Sequence, residues 1–186
     1  MNKFTRRTVI AAACAAAAMT FAPMSFAQQA PEKKDVTIAV GGKSLYYYLP
    51  LSIAEQLGYF KDEGLNVKIV DFQGGSRSLQ AVVGGSADVV SGAFEHTISM
   101  QAKKQPMTAF VLQGRAPQLA LVVSNKTMKD YKQLSDLKGK KVGVTAPGSS
   151  SQMVANFILK KGGLGPKDVA FIGVGSSSGA VSAIRS

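Results

Sequence analysis

Residues 67–83 read VKIVDFQGGSRSLQAVV. Val67, Ile69 and Val70 lead a β-branched run to Phe72, which predicts a strand. Gly74-Gly75 turns the chain. Leu79, Val82 and Val83 then recur at helical spacing until Gly84-Gly85 stops the helix. A strand that passes through glycines into a short helix is the first half of a βαβ unit.

Working outward from this stretch gives the same alternation. Upstream, Val36 to Val40 is a β-branched strand ending at Gly41-Gly42. Pro50 can open a helix at its first position, with Ile53, Ala54 and Leu57 on one face and Gly58 as the stop. Downstream, Asp88 to Ser91 predicts a third strand. A helix follows from about Phe94 to Lys104, with Lys103 and Lys104 in its last turn, where they suit the dipole. Met107 to Leu112 and Leu119 to Val123 predict two more strands. Lys126 to Lys138 is polar and charged, and is the candidate boundary between two lobes. Lys141 to Thr145 predicts a strand, Gln152 to Lys161 a helix stopped by Gly162-Gly163, Val169 to Val174 a strand, and Ser177 to Ile184 a helix. The expected fold class is α/β, with mostly parallel sheets in two lobes.

Such sheets bind ligands beyond the carboxyl ends of their strands. That rule selects the loops Gly41 to Tyr48, Gln73 to Ser78, Ser91 to Glu95 and Ala146 to Ser151. Ser149 is placed as a helix N-cap, with Gln152 as its capping-box partner and Val154, Phe157 and Ile158 as the apolar face. Unpaired N–H groups and the positive dipole end at a helix start attract anions. Ser150 and Ser151 add hydroxyl donors. Gly75, Ser76 and Arg77 repeat the arrangement, with Ser76 as the cap and Arg77 as a planar cation. Ser91-Gly92 opens the third helix in the same way. Among Tyr46, Tyr47 and Tyr48, alternation buries some rings, and Tyr46 is a candidate to pack on a ligand. His96, the single histidine, reads equally as a pocket residue or a structural one.

Several chemistries are disfavoured. Gly175-Ser176-Ser177-Ser178-Gly179 matches G-x-S-x-G after a strand, but no acid and histidine follow it. No metal-ligand spacing, dinucleotide glycine motif or P-loop lysine is present. The reading is a binding protein without a cofactor, not an enzyme.

The chain carries 22 Lys+Arg against 11 Asp+Glu, a net charge of +11. That balance favours anionic partners, but the lysines are scattered and nucleic acid is not expected. Lys3, Arg6 and Arg7 form a positive N-terminal region, Val9 to Ala22 is uncharged and apolar, and Ser25-Phe26-Ala27 is a small-x-small site. Residues 1–27 are therefore expected to be an export signal cleaved after Ala27. Thr5 to Ile10 resembles a twin-arginine signal. Cys14 is the only cysteine and falls within that signal.

Residues 51–67, with Ala54, Gly58, Phe60, Glu63, Gly64, Leu65 and Val67, resemble the A-x-x-x-G-x-F-x-x-E-G-L-x-V stretch of periplasmic binding proteins for nitrate, taurine and aliphatic sulfonates. Gly84 to Asp88 resembles that family's G-x-A-D element, and Asp136 to Val144 resembles the start of its second lobe. The resemblance runs from about Val36 to the end. It implies a two-lobed clamp in the periplasm that captures a small organic anion and hands it to an ABC permease in the inner membrane. It maps the ligand loops onto Gly75-Ser76, Ser91-Gly92 and Ser149 to Ser151. Lobe one is expected over 28–125 and part of lobe two over 126–186, since the family's members continue about a hundred residues further. The alternatives are a binder or synthase of a thiamine-pyrimidine precursor, whose enzyme form uses cysteine and histidine motifs absent here, and a sensory module of the same fold.

Overall fold

A computed structural model describes residues 30–186 of the chain. The predicted export signal, its cleavage after Ala27 and Cys14 lie outside the described residues. Residues Pro31–Ser186 make one compact unit, which contains two parallel sheets.

Strand β1 spans Asp35–Val40 and is the middle of a three-stranded sheet of order β2-β1-β3. Its alternation sorts two cores. Ile38 and Val40 point to one face and pack with Tyr48, Leu45, Leu51 and Phe60. Ala39 points to the other face, against Ala81 and Ala87. A fully buried alanine there lets a helix lie close to the sheet.

After β1 comes a 3-10 turn at Tyr46–Tyr48. Helix α1 follows over Leu49–Gln56 with Pro50 in its first turn, and then the single-turn helix α2 over Tyr59–Asp62. Gly58 joins them at φ +80, a conformation glycine adopts without penalty. Ile53 and Leu57, expected on the buried face of α1, are exposed. Leu51 reaches the core instead, together with Phe60 of α2.

Strand β2 spans Asn66–Asp71, helix α3 Gly75–Val83, strand β3 Val89–Ser91 and helix α4 Glu95–Ala102. Both neighbours pair parallel to β1, with Ile38 opposite Ile69 and Val89. Lys103 and Lys104 fall just beyond α4 rather than in its last turn, and Lys104 adopts φ +58 as the chain leaves the helix.

The strands expected at Met107 to Leu112 and Leu119 to Val123 are not formed. Neither segment pairs with a sheet edge, and Phe110, Val111, Leu112 and Val122 are largely exposed. Strand propensity expresses fit to a pleated, half-buried surface, and a segment with no partner ladder has none. Leu121 and Val123 still contribute apolar contact to the second core.

A 3-10 turn at Leu134–Leu137 leads into strand β4 (Lys141–Val144), helix α5 (Ser150–Lys161), strand β5 (Ala170–Gly173) and helix α6 (Ser178–Arg185). β4 and β5 pair parallel, with Val142 opposite Phe171. The second core gathers Leu137, Val142, Ala155, Leu159, Leu164 and Val169. Its helical contribution is Ala155 and Leu159, one turn apart, not the predicted Val154, Phe157 and Ile158. Those three line a groove with Pro117 to Ala120, and Phe157 is exposed. Packing beneath β4 and β5 selects the stripe one residue further along the helix.

Candidate functional site

The loops that leave β1, β2, β4 and β5 converge, and glycines make the approach close enough. A Cβ at Gly41 would lie 2.3 Å from the carbonyl carbon of Gly74, so the β1 and β2 loops touch backbone to backbone. The Asp71 carboxylate ties them further, accepting from the N–H groups of Gly42 at 2.7 Å and Lys43 at 2.8 Å. The Tyr48 hydroxyl accepts from the Gly41 N–H at 3.2 Å. Burial pushes the Tyr48 phenol up, and burial followed by the charge of Glu95 does the same at Tyr47, so both hydroxyls stay protonated at neutral pH.

The β2 and β4 loops meet through serines. The Ser76 N–H donates to the Ser149 hydroxyl at 3.0 Å, that hydroxyl donates to the Ser76 hydroxyl at 3.1 Å, and Ser76 Oγ donates to the Pro147 carbonyl at 2.9 Å. Ser149 is buried and is the N-cap residue of α5, as expected, but its side chain does not cap that helix. The expected capping box is therefore not formed. Gln152 Oε1 instead accepts from the Gly148 N–H at 2.7 Å. Ser76 is not a cap either: it lies inside α3, whose N-cap position is Gly74 at φ +120. The start of α3 is thus completed by the serine that precedes α5 and not by a serine of its own.

A second meeting joins the β1 and β5 loops. The hydroxyls of Ser44 and Ser177 hydrogen-bond, and a Cβ at Gly42 would lie 2.6 Å from Ser176 Oγ. Ser177 holds φ +58 there, uncommon for a residue with a side chain.

The other predicted residues are placed differently. Ser151 turns back on its own loop, accepting from the Thr145 N–H at 3.0 Å and sharing a 2.9 Å hydroxyl bond with Thr145 Oγ1. Ser150 is the half-buried first residue of α5. Arg77 is exposed and donates to Gln80 on its own helix at 3.4 Å, so its guanidinium does not enter the loop cluster. Tyr46 is 89% exposed, while Tyr48 of the same triplet is buried. Ser91 donates to Gln113 Oε1 at 2.9 Å, and Gln113 Nε2 donates to the Tyr47 carbonyl at 2.5 Å. Gln113 thereby ties the unpaired segment after α4 to the site. No motif surrounds it, so the sequence carried no signal for it.

His96 carries the least satisfied chemistry. It is buried, and both ring nitrogens lack a hydrogen-bond partner. A Cβ at Gly75 would lie 3.2 Å from its Cε1, and one at Gly92 would lie 3.5 Å from its Nδ1. The imidazole therefore sits between the start of α3 and the end of β3, beside the predicted residues Gly75 and Gly92. Being the single histidine was the signal for it. Among the described residues no group of three His, Cys, Asp or Glu could hold a metal ion, and no helix is long and apolar enough to cross a membrane. What the arrangement offers is polar: helix-start N–H groups, serine hydroxyls and one imidazole, with the Asp71 carboxylate holding the β1 loop.

Parallel βαβ units with donors gathered at the strand ends define the fold of periplasmic binding proteins. The chain belongs to the family described as NMT1/THI5 like, which matches residues 46–185. A solved structure of a protein from Bordetella bronchiseptica RB50 is 66% identical and superposes with a TM-score of 0.80, over 82% of this chain and 48% of that one. The alkanesulfonate-binding protein SsuA of Xanthomonas axonopodis pv. citri, bound to MOPS, shares the fold at 21% identity and a TM-score of 0.55, over 83% of this chain and 51% of that one. The 4-amino-5-hydroxymethyl-2-methylpyrimidine phosphate synthase of Schizosaccharomyces pombe is 27% identical over 75% of this chain and 39% of its own length. The chain spans about half the length of these proteins, or less.

Proposed function

We propose that the chain is the solute-binding part of an ABC import system, exported to the periplasm, and that it captures a small organic anion such as a sulfonate, nitrate or a taurine-like solute for an inner-membrane permease. One observation carries the reading: the starts of α3 and α5 meet at the strand ends, with the buried His96 beside them. Helix-start donors attract oxyanions, and the nearby Asp71 carboxylate is already engaged by the N–H groups of Gly42 and Lys43. In this reading residues 28–125 and 126–186 contribute opposite sides of the cleft. Gly75, Ser76, Ser91, Gly92 and Ser149 to Ser151 contact the solute, with Tyr46 and Arg77 at its rim. The alkanesulfonate specificity of the SsuA relative agrees with an anionic solute.

The test is calorimetry on the 186-residue chain. Methanesulfonate, taurine and nitrate are each titrated, with aminopyrimidine as the comparison. Heat of binding with at least one anion and none with the pyrimidine is expected. A second reading, a binder of a pyrimidine precursor, is favoured by the synthase relative. Binding of the pyrimidine alone would replace the first reading with this one. Export is checked by N-terminal sequencing of periplasmic material, expected to begin at Gln28. Full-length protein confined to the cytosol would remove the transport role.

A further inference from the structure

The donors that the proposed function assigns to a solute are engaged with each other. The Ser76 N–H, which faces outward from the first turn of α3, already has an acceptor, and that acceptor is the Ser149 hydroxyl at 3.0 Å. The Ser76 hydroxyl is likewise bonded, to Pro147 at 2.9 Å and to Ser149 at 3.1 Å. Gly74 is shaped for this contact: a Cβ there would meet Thr145 Oγ1 at 2.9 Å and Ser149 Oγ at 3.1 Å. The Ser44–Ser177 hydroxyl bond and the Gly42–Ser176 approach repeat the arrangement beside it. Both contacts join the three-stranded sheet's loops to the two-stranded sheet's loops.

The chemistry of this seam is uniform. It is made of hydroxyls, backbone N–H and C=O groups, and glycines. The two ion pairs among the described residues, Lys33–Asp88 and Lys43–Glu55, lie on the three-stranded side and do not cross it. Hydroxyl bonds of this kind exchange with water or with a solute oxygen at little net cost.

We infer that Ser76 and Ser149 form a latch: the Ser149 hydroxyl holds the oxyanion position at the start of α3 and ties the two sheets' loops together, and a solute must displace it to enter. The cleft is thus guarded by an internal competitor for its own donors. The inference rests on the proposed function only for what the latch guards. The latch itself is read out with no solute added, so its failure and the failure of solute binding are separate results.

The test is amide hydrogen exchange on the 186-residue chain, with small-angle scattering alongside. In Ser149→Ala the Ser76 amide is expected to lose protection by about tenfold, the worth of one ordinary hydrogen bond, while α3 amides beyond the first turn keep theirs. Ser151→Ala, which removes a hydroxyl bonded only to Thr145, should leave the Ser76 amide as it was. Ser76→Ala keeps the amide and its Ser149 acceptor and should leave that amide protected. Ser149→Ala should also raise the radius of gyration with circular dichroism unchanged. Equal Ser76 protection in wild type and Ser149→Ala, or an unchanged radius of gyration in Ser149→Ala, would overturn the latch. Were Ser149→Ala not to fold, the same two measurements on Ser149→Gly would decide.

Discussion

The backbone N–H of Ser76 donates to the hydroxyl of Ser149 at 3.0 Å, so the first turn of α3 is completed by the residue that precedes α5. The acceptor for that turn thus comes from more than seventy residues away in sequence. Gly74 is what permits it. In Gly74→Ala the new methyl is expected to push Thr145 and Ser149 away, and the φ of +120 adds backbone strain of about 1–3 kcal/mol. Gly58→Ala, at φ +80 with nothing within 4 Å, meets strain without collision and should cost less. Urea unfolding of both variants checks the order; a larger loss in Gly58→Ala would contradict it.

The second core hangs on Leu159, which is fully buried, whereas Phe157 two residues earlier is 62% exposed. Leu159→Ala is expected to cost about 2–5 kcal/mol through lost burial and the cavity left behind. Phe157→Ala should change stability by about 0.5 kcal/mol or less. Chemical denaturation measures both. Equal losses would mean that the face of α5 predicted from sequence is the one that packs.

His96 offers a stability–function contrast. Burying two unpartnered imidazole nitrogens costs about 1–3 kcal/mol. His96→Leu removes both, so its unfolding midpoint should stay level or rise, while affinity for the anions named above falls. A large drop in stability with binding intact would assign His96 to the core alone.

Two surface carboxylates contribute to the acid limb of stability. The Lys33 ammonium, then the Thr37 N–H, hold the Asp88 carboxyl below its usual range, and the N–H groups of Lys132 and Gln133 do the same for Asp136. Depressed carboxyls stabilise the fold above the unfolded-state value of about 3.9, and that contribution is lost as pH falls through the folded-state values. Asp88→Asn and Asp136→Asn should lower the urea midpoint near pH 6, and the gap to wild type should shrink as pH falls below the unfolded-state value and through the folded-state ones. A constant gap across pH 2–7 would show that the effect is not titration.

The alternation of strands and helices was legible because each unit is closed locally. β-branched runs end at glycines, and helical stripes stop at Gly58, Gly84 and Gly162. Two strands were misread because Phe110 to Leu112 and Val122 have strand composition without a partner, and pairing is a tertiary event that composition does not encode. The site was half legible. Strand-end loops and serine-rich helix starts selected Ser76 and Ser149, and the structure brings the two into hydrogen-bond contact. Their side chains were assigned to local caps, since the capping rule looks three residues ahead and the actual partner lies in another βαβ unit. Arg77 was chosen for its charge, yet the helix rotates it toward Gln80. Gln113 and Ser44 carry no pattern that reading along the chain could detect.

The closeness of the backbone at Gly41, Gly42 and Gly74 also limits how such a site can diversify. A side chain at any of them would strike a neighbouring loop, at Gly41 and Gly74 against atoms that are backbone or buried. Under the proposed function, a change of solute therefore has few open routes, since these glycines fix the frame and the Ser76–Ser149 contact is itself part of it. In that reading, new specificities arise by exchanging the side chains that border the glycines and not the glycines themselves.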